Sequence, residues 1–464
     1  MAMDYMTDED VDYYGDYEDD DMLVEEGDAT YMSITDIFKQ CLEPTLTEAF
    51  GQVAWMLCAC LALRLLNHHL NVGQRVDHIL SVCLGLVALV SVVGGNAIFT
   101  IVPAVMGYFM VSTCAKSSGI LHSQIATIVL VCYLVVREYV GILPESWEQV
   151  RGIQMIIVMK ILSLCFDMGI GYQTTLPSFD QYLGYIFCPA NLIFGPWIPF
   201  DVYCRLFEGQ TQTIWWVLPA FGAAVCSFLS LGVSSCLLYW VFLGTQSRWL
   251  LTFRDAMAVR FSHYFISYLS ELSCLLTGIA NDSVITVTEP WRIEMPRSLV
   301  DVVVCWNKPM HRWLRVYIFR PSIKWGTFQA VLWTFAVSSM LHGLNFGLTS
   351  VLLSLGLYTY VEHTLREKLA TIFNACIRSR KCPANCSHTF KSDNFTVFMI
   401  NVIFGLLAIF NLAYLGVMIS KSHIDTDVPP TVLESINDDL KKWKDLNFLS
   451  HVVMLCIYLA SLVI

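Results

Sequence analysis

Eleven stretches of this chain are apolar for close to the length that a helix needs to cross a bilayer. They lie near residues 51–66, 77–93, 97–115, 120–140, 153–170, 181–200, 214–243, 261–279, 326–358, 396–419 and 446–464. A hydrocarbon core about 30 Å thick takes roughly 20 helical residues. Lipid offers the backbone no hydrogen-bond partners, so a spanning segment is either a helix or part of a closed barrel. Runs this long, without the alternation of barrel strands, read as helices. Composition agrees: 56% of the 464 residues are hydrophobic and only 14% are charged, against about 25% charged in a soluble domain. The expected fold class is all-α, a polytopic transmembrane helical bundle of about ten or eleven crossings around a catalytic cavity. Re-entrant pieces are possible at 261–279 and 326–358, the second being long enough for two passes. No internal repeat is visible, which weakens a transporter built from inverted halves.

The formal charge of −11 misleads. Residues 1–28 hold 13 of the 39 acidic residues and no basic one, which leaves 28 basic against 26 acidic, or +2, for the rest. Residues 1–45 therefore read as an acidic, disordered tail and lead-in, and 46–464 as the membrane core. Tyr13, Tyr14 and Tyr17 could be sulfated in a secretory lumen, although a plain solubilising tail is the simpler reading. The tail is not a signal peptide, since a basic start followed by an apolar run is missing. The acidity gives the body no binding surface, and no nucleic-acid partner is expected. Lys and Arg mark the cytosolic loops: Arg64 and Arg75, then Arg366, Lys368, Arg378, Arg380, Lys381 and Lys391. That puts the N-terminus in the lumen and the C-terminus in the cytosol. The 360–391 region reads as an amphipathic surface helix followed by a cysteine-containing loop.

A titratable group inside an apolar run marks a functional site by default. His342 is such a group, in "VSSMLHGLNFG", with Ser338 one helical turn before it and the small Ser339 and Gly343 beside it. A core histidine bonded to a carbonyl explains the same residues equally well. Asn307, in "WNKPMHRW" between Trp306 and Trp313, could orient or polarise a carbonyl. Taken alone, it reads better as a helix cap in an aromatic belt.

Longer blocks separate these readings. The ordered set "RGIQMIIVMKILSLCFD", "FGPWIPF", "MPRSLVDVVVCWNKPMHRWL", "LHGLNFGLTSVLLSLGLYTYVEHTLREKLATIFNAC", "RSRKCPANCSH" and "FGLLAIFNLAYLG" resembles the membrane-bound O-acyltransferase family. The resemblance covers nearly everything after the tail. Within the family it is nearest to the branch that acylates Wnt proteins. It implies that His342 is the essential histidine, base or hydrogen-bond partner for an acceptor hydroxyl, and that Asn307 is the second catalytic position. Trp306 and Ser338 would lie near the acyl chain, by adjacency. The implied donor is palmitoleoyl-CoA, acting as a co-substrate with no cofactor required. The implied acceptor is a serine on a Wnt hairpin, and the setting is the endoplasmic reticulum membrane with its lipids. Another protein or lipid acceptor is the alternative within the family. A proton-coupled transporter using His342 and Lys160 is the alternative outside it.

Three further groups need weighing. Lys160, Ser163 and Asp167 share one helix face, where they form either a structural ion-pair network or, with Arg151, a site for CoA phosphates. Cys305, two residues from Asn307, raises an acyl-cysteine intermediate. Cys376, Cys382, Cys386 and His388 could make a tetrahedral zinc site, but the spacing C-x5-C-x3-C-x-H lacks a C-x2-C knuckle. No metal is assigned there, and lipidation of these thiols is a further option. Sequons stand at Asn281, Asn385 and Asn394; the last two are not expected to be modified in a cytosolic loop, and Asn281 is left open.

Overall fold

The computed structural model describes residues 33–70, 73–117, 120–139, 144–208, 214–279, 282–343, 345–383, 385–419 and 432–464. The acidic tail with its tyrosines, and Asn281, lie outside them. The described chain is helical, and its long helices are α1 (Glu43–Leu70), α2 (Gln74–Val93), α3 (Ile98–Lys116), α4 (Leu121–Tyr139) and α5 (Pro144–Gly169). There follow α6 (Phe179–Ile186), α7 (Val217–Gly232), α8 (Arg248–Thr277), α9 (Leu299–Trp306), α10 (Lys308–Leu314), α11 (Thr327–Leu341) and α12 (Phe346–Ile372). The chain closes with α13 (Phe395–Gly416), α14 (Val432–Asp445) and α15 (Leu449–Val463).

Among the described residues, five helical stretches are long and apolar enough to cross a membrane: Ile34–His69, Gln74–Lys116, Val150–Gly169, Ile214–Val241 and Phe395–Gly416. A sixth exists if Ile436–Asp445 and Leu449–Val463, bent by 68° from each other, are one span. This is a multi-pass membrane protein. The helices α8 and α12, 30 and 27 residues long, fail on apolarity rather than length. Their polar residues face protein instead of lipid: Arg260, Ser267, Ser270, Ser273 and Thr277 on α8 are all buried. Helix α8 is the hub of the bundle, packed against α1, α7 and α13.

Local chemistry accounts for the turns. One short helix, α6, holds both α2 and α3: Ser81 donates to the Gly184 carbonyl at 3.0 Å, and the Tyr182 hydroxyl to Ala104 at 2.7 Å. Residues 81 and 104 would be about 34 Å apart on one straight helix, too far for one short helix to hold both, so the chain bends between them. The break in the α-helical path is the 3-10 turn Gly94–Ala97. Gly85 permits the close approach of α6 and the chain after it, because a Cβ there would meet the Phe187 carbonyl oxygen at 1.6 Å.

Two expectations are corrected. The apolar run 181–200 does not span: after α6 it is irregular chain, with 187–193 buried in protein. Lys160 holds it there. Its fully buried ammonium donates to the carbonyls of Tyr185 (2.8 Å) and Ile186 (2.9 Å) and to Asn191 Oδ1 (2.8 Å). All three N–H groups are thus used, two of them at the C-terminal end of α6, where the helix dipole favours a cation. Lys160 is therefore neither a phosphate site nor a link in a proton relay, and it is not paired with Asp167, which accepts from the Tyr317 hydroxyl at 3.0 Å. The run 326–358, long enough for two passes, is indeed two helices, α11 ending at Leu341 and α12 beginning at Phe346. Finally, 360–372 is no separate surface helix but the last turns of α12, with Glu362 and Arg366 buried as an ion pair at 3.0 Å.

That pair organises the far end of the bundle. Arg366 uses all five donors, on Glu362, on the carbonyls of Arg297, Ile377 and Arg378, and on Asn401 Oδ1. Glu362 accepts from the Leu299 amide at 2.9 Å, at the free N-terminus of α9. The lead-in is tied down as well, by a disulfide between Cys41 and Cys236. The expected luminal N-terminus puts that bond in an oxidising compartment.

Candidate functional site

His342 does not sit within a helix. It is the C-cap of α11, with φ −83° and ψ 1°, and its amide bonds to the Ser338 and Ser339 carbonyls. Gly343 follows at φ +84°, the left-handed conformation that ends helices and that glycine adopts without strain. Its amide returns to the Met340 carbonyl at 3.2 Å. The sequence suggested clearance for an acyl chain, but the glycine's visible task is to turn the chain. Asn345 then opens α12 by accepting from the Leu348 amide at 3.0 Å. Ser339 ties the two helices across the break by donating to Thr349 at 2.7 Å. The His342 ring thus stands on a braced corner. It is half-buried, and among the described residues its nitrogens have no hydrogen-bond partner. A core histidine satisfied by a carbonyl would look different.

Asn307 lies on a second corner, between α9 and α10, with φ −145° and ψ 89°. Its Oδ1 caps α10 by accepting from the Met310 amide at 3.0 Å. The helix-cap reading is therefore correct, and it fixes the amide's orientation. The Nδ2 donor stays without a partner among the described residues. Backbone bonds pin both flanks of this corner: Lys308 N–H to Val287 O at 2.8 Å, and Glu289 N–H to Cys305 O at 3.1 Å. Ion pairs hold the strap that makes those bonds, through Glu289 with Lys308 (2.6 Å) and Arg292 (3.1 Å), Arg292 with Asp301 (2.6 Å), and Arg260 with Glu294 (2.8 Å).

Beside the Asn307 corner stands His263 of α8, a residue not singled out in the sequence. Its ring stacks on Trp306, with centroids 4.3 Å apart and planes 4° from parallel. Its Nε2 lies 2.8 Å from the Trp306 carbonyl oxygen. A carbonyl only accepts, so Nε2 carries the hydrogen and, in the neutral ring, Nδ1 is the bare nitrogen. His342 lies within electrostatic reach of His263 and of Arg151. The signal for His263 was in the sequence: it is a titratable ring in the apolar run 261–279, the same criterion that selected His342.

Ser338 is buried, and its carbonyl accepts from the His342 amide at 3.2 Å. Cys305 is fully buried, with its thiol 3.8 Å from Glu289. Burial pushes that thiol up to about 11, against the pull of Arg292. A thiol held protonated is a poor nucleophile, so the acyl-cysteine intermediate loses its ground. Cys376, Cys382, Cys386 and His388 are together, more than sixty residues after Asn307 in the chain and in a loop of their own.

An imidazole on one corner and an amide donor on the other, each without a hydrogen-bond partner among the described residues, are the group types that attack of a hydroxyl on an acyl carbonyl calls for. The family model of the membrane-bound O-acyltransferases matches residues 171–410, a span holding both corners. The chain belongs to the membrane-bound O-acyltransferase family. Comparison with curated proteins agrees with that assignment. The chain is 34% identical over 446 residues to protein-serine O-palmitoleoyltransferase porcupine of Homo sapiens, covering 90% of this chain and 95% of that protein. To the porcupine of Anopheles gambiae it is 34% identical over 479 residues, covering 93% and 94%. A lysophospholipid acyltransferase of Arabidopsis thaliana matches at 21% over 301 residues, 53% of this chain. The family expected from the sequence blocks is thus the one found, and this O-acyltransferase carries His342 and Asn307 within its matched domain.

Proposed function

We propose that this O-acyltransferase moves a palmitoleoyl group from palmitoleoyl-CoA to a serine hydroxyl of a Wnt protein, in the endoplasmic reticulum membrane. Likeness to protein-serine O-palmitoleoyltransferases over nine-tenths of the chain supports the substrate classes. The observation that carries the site is the His342 ring, which has no hydrogen-bond partner among the described residues and stands on a braced helix corner.

The reaction needs only the two substrates. His342 takes the proton of the acceptor serine as its Oγ attacks the thioester carbonyl, the bare nitrogen of the neutral imidazole being the acceptor. A C–O bond forms and the carbonyl oxygen gains negative charge, toward which Asn307 Nδ2 donates. A fixed donor of this kind contributes about 3–4 kcal/mol to such transition states. Collapse breaks the C–S bond, CoA leaves as thiolate, and the imidazolium returns the proton to it. His263 holds the Trp306 carbonyl and, through it, the residue before Asn307. Trp306 and Ser338 flank the acyl chain at the two corners.

The acceptor class is tested with the purified protein, palmitoleoyl-CoA and three acceptors: a disulfide-closed Wnt hairpin peptide, its Ser→Ala form, and lysophosphatidylcholine. Transfer to the serine peptide alone is expected. Transfer to the lysophospholipid with none to the peptide would replace the proposed acceptor by a lipid and leave the acyl-transfer chemistry standing.

A further inference from the structure

Beyond the catalytic corners, one loop gathers four metal-ligating side chains. The Sγ atoms of Cys376, Cys382 and Cys386 and a ring nitrogen of His388 all lie within 4.8 Å of one another. Cys376 Sγ is 3.4 Å from Cys386 Sγ and 3.6 Å from His388 Nδ1, and Cys382 Sγ is 3.6 Å from the same Nδ1. A tetrahedral zinc ion, with bonds of about 2.3 Å to sulfur and about 2.0 Å to nitrogen, separates its ligands by about 3.8 Å (S to S) and about 3.5 Å (S to N). The four side chains therefore stand at the spacing of one coordination sphere. The thiols are unbridged, unlike Cys41 and Cys236, and their loop is on the side that the basic residues assign to the reducing cytosol.

The backbone is shaped for closure. Cys376 N–H bonds to Phe390 O at 2.9 Å, and Phe390 N–H returns to Asn374 O at 3.1 Å, pinching the ends of the loop. Asn374 takes a left-handed φ of 47° to allow it. Lys391 places its ammonium 3.3 Å from Cys386 Sγ and also donates to the Cys386 carbonyl, a charge that favours thiolate.

We propose that Cys376, Cys382, Cys386 and His388 bind a structural zinc ion that closes the loop between α12 and α13, the loop against which the start of α9 is set. Four protein ligands complete a tetrahedron and leave no open position, as in structural rather than catalytic zinc sites. On binding, the thiols give up their protons to solvent as Zn–S bonds form. The staple reaches the catalytic side through short links. Arg297 donates to the Cys376 carbonyl at 2.7 Å and to Arg378 O at 3.2 Å, and Ser298 donates to Ser379 O at 2.9 Å. These two residues immediately precede α9, whose other end is Trp306 followed by Asn307. Zinc thus fixes the loop against which that helix is set, and touches no substrate.

The test uses the full chain purified in detergent and dialysed against a weak chelator. Elemental analysis should find about one zinc per chain. Material exchanged with cobalt should show thiolate-to-cobalt charge transfer and the intense visible bands of a tetrahedral site. The Cys382→Ser/Cys386→Ser variant should lose at least nine-tenths of the metal, while Cys456→Ser, at an exposed cysteine elsewhere, keeps it. Alkylation and mass spectrometry of the wild type without metal should find all three thiols free. A metal-free wild type that also fails to take up cobalt tetrahedrally overturns the proposal, whether or not the double variant folds. A disulfide or an acyl group on these cysteines overturns it too, as does metal retained in the double variant, the mark of an adventitious ion only. Since the readout is metal content, failure here is distinguishable from failure of the acyl-transfer reading.

Discussion

Lys160→Met separates a structural lysine from one that binds CoA. Methionine nearly matches the volume of the side chain and removes the ammonium, leaving Tyr185 O, Ile186 O and Asn191 Oδ1 without the donor they share. A buried acceptor stripped of its partner costs about 1–3 kcal/mol, so three cost about 3–9 kcal/mol gross. Relief of the desolvated charge offsets part of this, for a net loss of about 3–5 kcal/mol. At about 2 °C per kcal/mol in a chain of this size, the apparent Tm should fall by roughly 6–10 °C. Thermal unfolding in detergent, at one scan rate for both proteins, reads this directly. Protein that remains folded should keep its KM for palmitoleoyl-CoA within about twofold, because no lysine N–H is left to meet a phosphate. A variant with wild-type Tm and a KM raised about tenfold would refute the reasoning and restore the phosphate site.

Other substitutions test the corners. Asn307→Asp keeps the Oδ1 cap on Met310 and removes the Nδ2 donor, so kcat should fall about 10²–10³-fold with little change in Tm; steady-state kinetics beside a melting curve check it. Gly343→Ala puts a Cβ on a residue at φ +84°, costing about 1–2 kcal/mol and swinging the His342 corner, so both Tm and kcat should drop. Arg366→Met strips one carboxylate and several carbonyls of their donors and should lower stability by about 3–5 kcal/mol, read as a lost folded peak in size-exclusion chromatography.

Helices were legible where apolar length decided them, as in 214–243 and 396–419. The run 181–200 misled because hydropathy does not distinguish burial in lipid from burial in protein. Pro189, Pro196 and Pro199 were the overlooked signal, since three prolines cannot share a regular helix. Gly343 was readable as a helix terminator, but an unbroken apolar run hid the break. At 360–372 the face pattern suggested a surface helix; the charges instead satisfy each other and the neighbouring backbone inside the bundle. Asn307 shows how two readings can both hold, since one end of its amide caps a helix and the other is left for chemistry. His263 needed the fold, because its meaning lies in the stack on Trp306, forty-three residues away in the chain.

The central claim is that His342 moves the proton. It is tested most directly by single-turnover acyl transfer from palmitoleoyl-CoA to the serine hairpin peptide, comparing the wild type with His342→Ala after a melting curve has shown both folded. The account predicts that transfer falls at least about 10²-fold while Tm stays close to that of the wild type, since the ring gives up no hydrogen bond to the described chain. Transfer at an undiminished rate in folded His342→Ala protein would contradict it.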